Sequence, residues 1–271
     1  MALFKRFQKG FETATKSFSI LWEHKKLLIY LGIPIVLGVL VEILIYNIKL
    51  DPSSICTSFS QKDAIARILK LDTSYSWLRY MSVIFAYFIY LAIVTLANMS
   101  LTKHTYAICK KERIGLRKIV TWAISKIKLA IIWTFFMHIP IITFHMINSH
   151  ILKSPSLLAK SFYALITLSI FVTWSIITLF VIQAIAIDNA GVKAAIKSSI
   201  LSVKKIFSEY LGAMLWIVLT GTIFTIPFIV LERFVNAIYF FAIPMVLLIY
   251  CYISSTYTVS KTLLYIDSKK K

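Results

Sequence analysis

Acidic residues are scarce in this chain. Only 11 aspartates and glutamates stand against 30 lysines and arginines, for a net charge of +19. The basic residues must therefore face something anionic outside the protein. Charge of either sign is thin, at 15% of residues against about 25% in a typical soluble domain. There are three cysteines, Cys56, Cys109 and Cys251. They fall in an expected external loop, an internal loop and a span, which argues against a structural disulfide and against a metal set with neighbouring histidines. Glycine is rare too: seven in all, with Gly32, Gly38, Gly212 and Gly221 in apolar stretches. That weighs against the broken, glycine-rich helices on which transporter sites are often built. No phosphate-cradling loop, zinc-protease helix, serine elbow or dinucleotide-binding glycine pattern is present. Residues 1–26 lack an uninterrupted apolar core and a small-residue cleavage site, so they do not read as a signal peptide.

What is abundant is apolar surface. Hydrophobic residues make up 59% of the chain and the mean hydropathy is +0.81. A soluble fold could not hide that much, so lipid must cover it. Six stretches are long enough to cross a bilayer, at about 27–48, 78–101, 129–147, 161–187, 210–231 and 237–259. The connections alternate in charge. Those on one side carry 22 lysines and arginines and those on the other carry 8. Basic connections stay cytoplasmic. The expectation is therefore a single all-α domain over 1–271: a polytopic transmembrane bundle of about six spans in the cell membrane, with both termini cytoplasmic.

The cytoplasmic connections carry amphipathic patterns. In 1–26 the apolar stripe is Phe4, Phe7, Phe11, Ala14, Phe18 and Leu21, with Lys5, Arg6, Lys9, Glu12 and Lys16 around it. In 189–209 the stripe is Val192, Ile196, Ile200, Val203 and Phe207, with Lys193, Lys197 and Lys204 on another face and Asn189 placed to cap the helix start. In 113–128 it is Leu116, Val120, Ala123 and Ile127, with Trp122 suited to the interface. An amphipathic helix followed by two spans, starting near 1, 113 and 189, makes a weak threefold pattern. Ile33-Pro34, Ile139-Pro140 and Ile226-Pro227 accompany it. Outside, Ser60-Gln61-Lys62-Asp63 resembles a capping box. The short Glu232-Arg233-Phe234 connection makes the last two spans antiparallel neighbours.

The stretch Trp174–Glu209 contains Asp188, Gly191, Ala195, Ile196, Lys197 and Ser199 in the order acid, Gly, Ala-Ile-Lys-x-Ser. It resembles a family of uncharacterised multi-span prokaryotic membrane proteins known as a domain of unknown function. Ser19, Trp22, Lys25, Lys26, Leu27 and Pro34 are similar as well. The resemblance implies the architecture and no activity.

Few residues are placed to carry chemistry. Glu42 is the one formal charge well inside an expected span, which costs roughly 2.5–3.5 kcal/mol or more. It is either a proton or cation site or a residue reaching outward to water. His138 and His145 share one helix face, and His145 lies near the depth of Glu42. A Glu42–His145 hydrogen bond would satisfy both, whereas two histidines two turns apart make a poor metal set. Gln183 and Asn98 suit helix-to-helix hydrogen bonds. Asp188 with Asn189 reads as a turn and cap, with catalysis the sharper alternative.

The expected function is non-enzymatic: organising anionic phospholipid, or membrane protein partners, at the cytoplasmic leaflet. Lys5, Arg6, Lys9, Lys193, Lys197 and Lys204 are the expected headgroup contacts. Each adds on the order of 1 kcal/mol near an anionic surface. No cofactor and no nucleic-acid partner is expected. A small-solute transporter or channel with Glu42 in its pathway is the alternative.

Overall fold

A computed structural model describes residues 2–46, 77–151, 157–234 and 239–270. Side chains are described for 4–40, 85–138, 140, 161, 163, 165–227 and 245–270. Every element among them is helical. In chain order these are α1 (Ala2–Glu23), a 3-10 turn (Lys25–Leu27), α2 (Leu28–Tyr46), α3 (Trp77–Cys109), α4 (Leu116–Ser125), α5 (Ile127–Ile151), α6 (Leu157–Ile177), α7 (Val181–Asp188), α8 (Val192–Phe234) and α9 (Tyr239–Lys270). Among the described residues, three stretches are long and apolar enough to cross a membrane: Phe85–Cys109, Leu165–Asp188 and Val192–Pro227. The pair Leu116–Ser125 and Ile127–His138, bent by 65°, is a fourth candidate. The expected external loop, with Cys56 and the Ser60–Asp63 capping box, lies outside the described residues.

The breaks between helices have local causes. The expected fourth span is interrupted at Thr178–Phe180, where the Thr178 hydroxyl bonds back to the Trp174 carbonyl at 2.7 Å. The buried Phe180 N–H leaves the helical ladder and donates instead to Ser199 Oγ at 2.9 Å. An orphaned buried N–H is costly, so Ser199 lets the chain turn there. Asn189 differs from expectation. It ends α7 in the left-handed conformation, at φ 53°, a position that Asn tolerates better than most residues. It does not cap the start of α8, where Ala195 N–H bonds the Gly191 carbonyl. The amphipathic segment, from Val192, and the fifth expected span both fall in α8, which kinks at the non-helical Ile206.

The amphipathic helices bury part of the expected stripes, with Ala14, Leu21, Ala123 and Val203 inside, and turn small neighbours inward beside them. On α1 the buried residues are Gly10, Thr13, Ala14, Ser17, Ile20 and Leu21, while Phe4 is 74% exposed. Small side chains let helix backbones approach closely, and α1 uses them to lie against α8. A β-carbon at Gly10 would collide with the Glu209 carbonyl, and one at Gly212 with the Phe7 carbonyl. Phe11 then packs edge-on to Trp216 of α8 at 5.5 Å. On α4 the buried pair is Ile119 and Ala123, and Val120 and Ile127 stay exposed. At the start of α8, Ala195, Ser199, Ser202, Val203 and Ile206 turn inward.

α8 and α9 run antiparallel, as expected. Tyr210 pairs with Tyr257 and Ser202 with Ser268. Asn98 accepts from Thr258, and Thr102 lies beside Thr262, tying α3 to α9. The outer surface keeps large apolar side chains exposed, among them Ile33, Phe135, Leu168, Ile223 and Leu248. Exposed apolar surface of this kind is what lipid covers.

Candidate functional site

Polar chemistry gathers at the end of the bundle where α1, α7, the start of α8 and the end of α9 meet. Asp188, the last residue of α7, accepts hydrogen bonds from the Tyr265 hydroxyl at 2.5 Å and from Lys269 Nζ at 2.8 Å. Ser198 of α8 completes the cluster, with its Oγ 2.7 Å from the Tyr265 hydroxyl and 3.3 Å from Lys269 Nζ. One turn further along α8, Ser202 Oγ lies 2.9 Å from Ser268 Oγ, and Lys205 donates to the Ser268 carbonyl at 3.1 Å. On the other side of α9, Lys9 of α1 pairs with Asp267 at 3.0 Å. The C-terminal turns of α9 are thus held by α1, α7 and α8.

A Ser, a Tyr and a Lys four residues apart could suggest proton transfer at Tyr265. The electrostatics run the other way. Burial and the hydrogen bond that Tyr265 donates to Asp188 raise the Tyr265 pKa, so the phenol stays a donor. Burial lowers Lys269, but its bonds to Asp188 and Tyr265 outweigh that and its pKa is raised. The ammonium neutralises Asp188, and its pull on the phenol is outweighed by burial and the Asp188 carboxylate. Ser198 has no imidazole or carboxylate against its hydroxyl in this cluster to activate it. The arrangement is a charge-neutral clamp. It fits the turn-and-cap reading of Asp188 more than the catalytic one.

Beside the clamp lies Lys261, one helical turn from both Tyr257 and Tyr265. Its Nζ sits 5.0 Å over the Tyr257 ring. Tyr257 meets the Tyr210 hydroxyl at 3.2 Å, and Phe180 packs between Tyr210 and Tyr265. No acid pairs with Lys261 among the described residues. The side chain is enclosed by the surrounding helices, with a partial opening to the surface. Burial pushes the ammonium down to about 8.

Of the expected headgroup residues, Lys5, Arg6, Lys193, Lys197 and Lys204 are exposed. Lys9 is committed to Asp267, which raises its pKa through the hydrogen bond between them. Of the expected intramembrane polar set, His138 donates Nδ1–H to its own helix at the Thr134 carbonyl, 2.6 Å away, and its ring meets Tyr87. The Thr134 hydroxyl bonds Thr95 of α3 at 3.1 Å. Glu42 falls within α2 and His145 within α5, but their side chains lie outside the described residues. Asn98 bridges helices as expected. Gln183 is 1% exposed, and its Oε1 has no hydrogen-bond partner among the described residues. No group of three potential metal ligands occurs among them.

Sequence reasoning missed Tyr265, Lys269 and Ser198, and also the Tyr30–His104 hydrogen bond of 3.0 Å between α2 and α3. The Tyr265/Lys269 spacing puts the two on one helix face, but nothing local links them to Asp188, 77 residues away. No protein family, curated protein or solved structure matches this chain.

Proposed function

We propose that this chain is a multi-pass protein of the cell membrane, with about six spans and both termini cytoplasmic, that gathers anionic phospholipid at the cytoplasmic leaflet and is not an enzyme. The observation that carries this reading is the placement of Lys5, Arg6, Lys193, Lys197 and Lys204. All are exposed, on the first turns of α1 and over the first four turns of α8. Large apolar side chains of α2, α5, α6 and α8 are exposed as well. Exposed cations together with exposed apolar surface fit a headgroup layer, where each cation contributes on the order of 1 kcal/mol. The clamp around Asp188 gives its end of the bundle a fixed shape without offering an activated nucleophile. The resemblance to a multi-span prokaryotic family supports the architecture of this reading and adds no activity.

Native mass spectrometry of the purified protein in mild detergent tests it. Selective retention of anionic over zwitterionic lipid, reduced on reversing Lys193, Lys197 and Lys204 to glutamate, is the expected result. Retention of a soluble metabolite instead, with transport lost in Glu42→Gln, would replace this reading with the solute-pathway one.

A further inference from the structure

We propose that α4 carries a discrete binding site for one anionic phospholipid, with the phosphate held by Arg117 and Lys118 and the headgroup lying along Thr121, Ser125 and Trp122. This rests on the lipid-gathering reading and narrows it to a site that the charge count does not single out. Arg117, Lys118, Thr121, Trp122 and Ser125 line a shallow, open stretch of the α4 surface.

The chemistry of the lining is asymmetric in a useful way. α4 contains no acid, and neither Arg117 nor Lys118 makes an ion pair among the described residues. Their donors are therefore open to a phosphate, which a guanidinium can meet with two bonds at once. The Thr121 and Ser125 hydroxyls give their protons to the carbonyls of Arg117 and Trp122 on their own helix. What they present outward is acceptor oxygen, matched to a headgroup that bears hydroxyls, such as phosphoglycerol. Trp122 borders this stretch, half-buried, with Lys103 of α3 over its ring at 5.3 Å. An indole and cations at one level mark a membrane–water interface.

The neighbouring surface of α4 argues for a lipid over a free phosphate. Successive residues turn by 100° along a helix, so the exposed half of α4 divides into two sectors. Arg117, Thr121, Ser125 and Lys118 form one. Val120 and Ile124 form the other, and they are 44% and 60% exposed. A soluble anion has no use for that apolar strip, whereas an acyl chain lies along it. Basic residues on an amphipathic helix at the membrane surface attract acidic headgroups.

The test uses the full-length protein in mild detergent, titrated with phosphatidylglycerol and separately with phosphatidylcholine, and read by native mass spectrometry. One phosphatidylglycerol is expected to stay bound at concentrations that strip the rest. Neutralising both cations in Arg117→Gln/Lys118→Gln should weaken that last lipid about tenfold or more. Ile124→Asn should weaken it severalfold, and Lys193→Gln/Lys197→Gln/Lys204→Gln should lower the total count while sparing the tight one. Circular dichroism checks that each variant stays helical. Unchanged binding in Arg117→Gln/Lys118→Gln, equal retention of phosphatidylcholine, or displacement by glycerol phosphate at the lipid's own concentration would overturn the site. If the unaltered protein holds no anionic lipid at all, the broader reading falls with it. If it holds lipid that is indifferent to Arg117 and Lys118, this site alone falls.

Discussion

Gly10 lies against the Glu209 carbonyl of α8 and Gly212 against the Phe7 carbonyl of α1, so each makes room for the other helix's backbone. The contact is main chain on main chain, so a side chain at either position meets carbonyl groups that cannot rotate away. Gly10→Val and Gly212→Val are each expected to lower stability by about 2–4 kcal/mol or to release α1 from the bundle. Thermal unfolding in detergent measures the first outcome, and protease cleavage within residues 2–23 the second. Gly115→Ala and Gly191→Ala are the controls, since nothing lies within reach of a β-carbon there.

Asp188→Asn removes the charge that Tyr265 and Lys269 share. We expect a loss of about 1–2 kcal/mol in stability. Tyr265→Phe should cost a similar amount, and the double variant less than the sum of the two. A coupling of about 1 kcal/mol in a double-mutant cycle would establish the clamp. Simple additivity would mean that the two residues act independently.

Lys261 makes stability depend on alkaline pH. Its folded-state pKa, about 8, lies below the ordinary 10.5. Between those values the unfolded chain binds more protons than the folded one, so stability rises with pH across that window. The penalty for burying the ammonium is complete below pH 8 and gone above about 10.5. Lys261→Met should therefore be more stable than the natural protein near pH 7, by on the order of 1–3 kcal/mol after allowing for the partial opening. The advantage should vanish by about pH 10.5. Parallel unfolding curves at every pH would contradict this.

Cys109 is exposed at the basic end and Cys251 is buried. With Cys56 replaced by serine, a membrane-impermeant maleimide should label Cys109 only from the cytoplasmic face. Cys251 should react only after denaturation. Labelling of Cys109 in sealed cells from outside would reverse the proposed orientation.

The helical character and the apolar, membrane-compatible stretches were legible from composition and run length alone, because hydrocarbon leaves a backbone few ways to satisfy its polar groups. Exposed Lys193, Lys197 and Lys204 were legible too, since charge seeks water whatever the fold. The buried faces of the amphipathic helices were legible only in part. The stripe of α1 contains the buried Ala14 and Leu21 as well as the exposed Phe4, but it did not show that Gly10 and Ser17 turn inward beside them, because close backbone approach in a membrane favours small residues over large apolar ones. Asn189 could serve as either kind of cap by residue type, and only the break between α7 and α8 decides which. The pairing of Asp188 with Tyr265 and Lys269 belongs to the tertiary structure altogether. So do the isolation of Lys261 beneath Tyr257 and the commitment of Lys9 to Asp267. Hydropathy and charge are properties of single residues and survive any rearrangement of the chain. Which polar group meets which depends on helices brought together from far apart in sequence, and no local pattern encodes that.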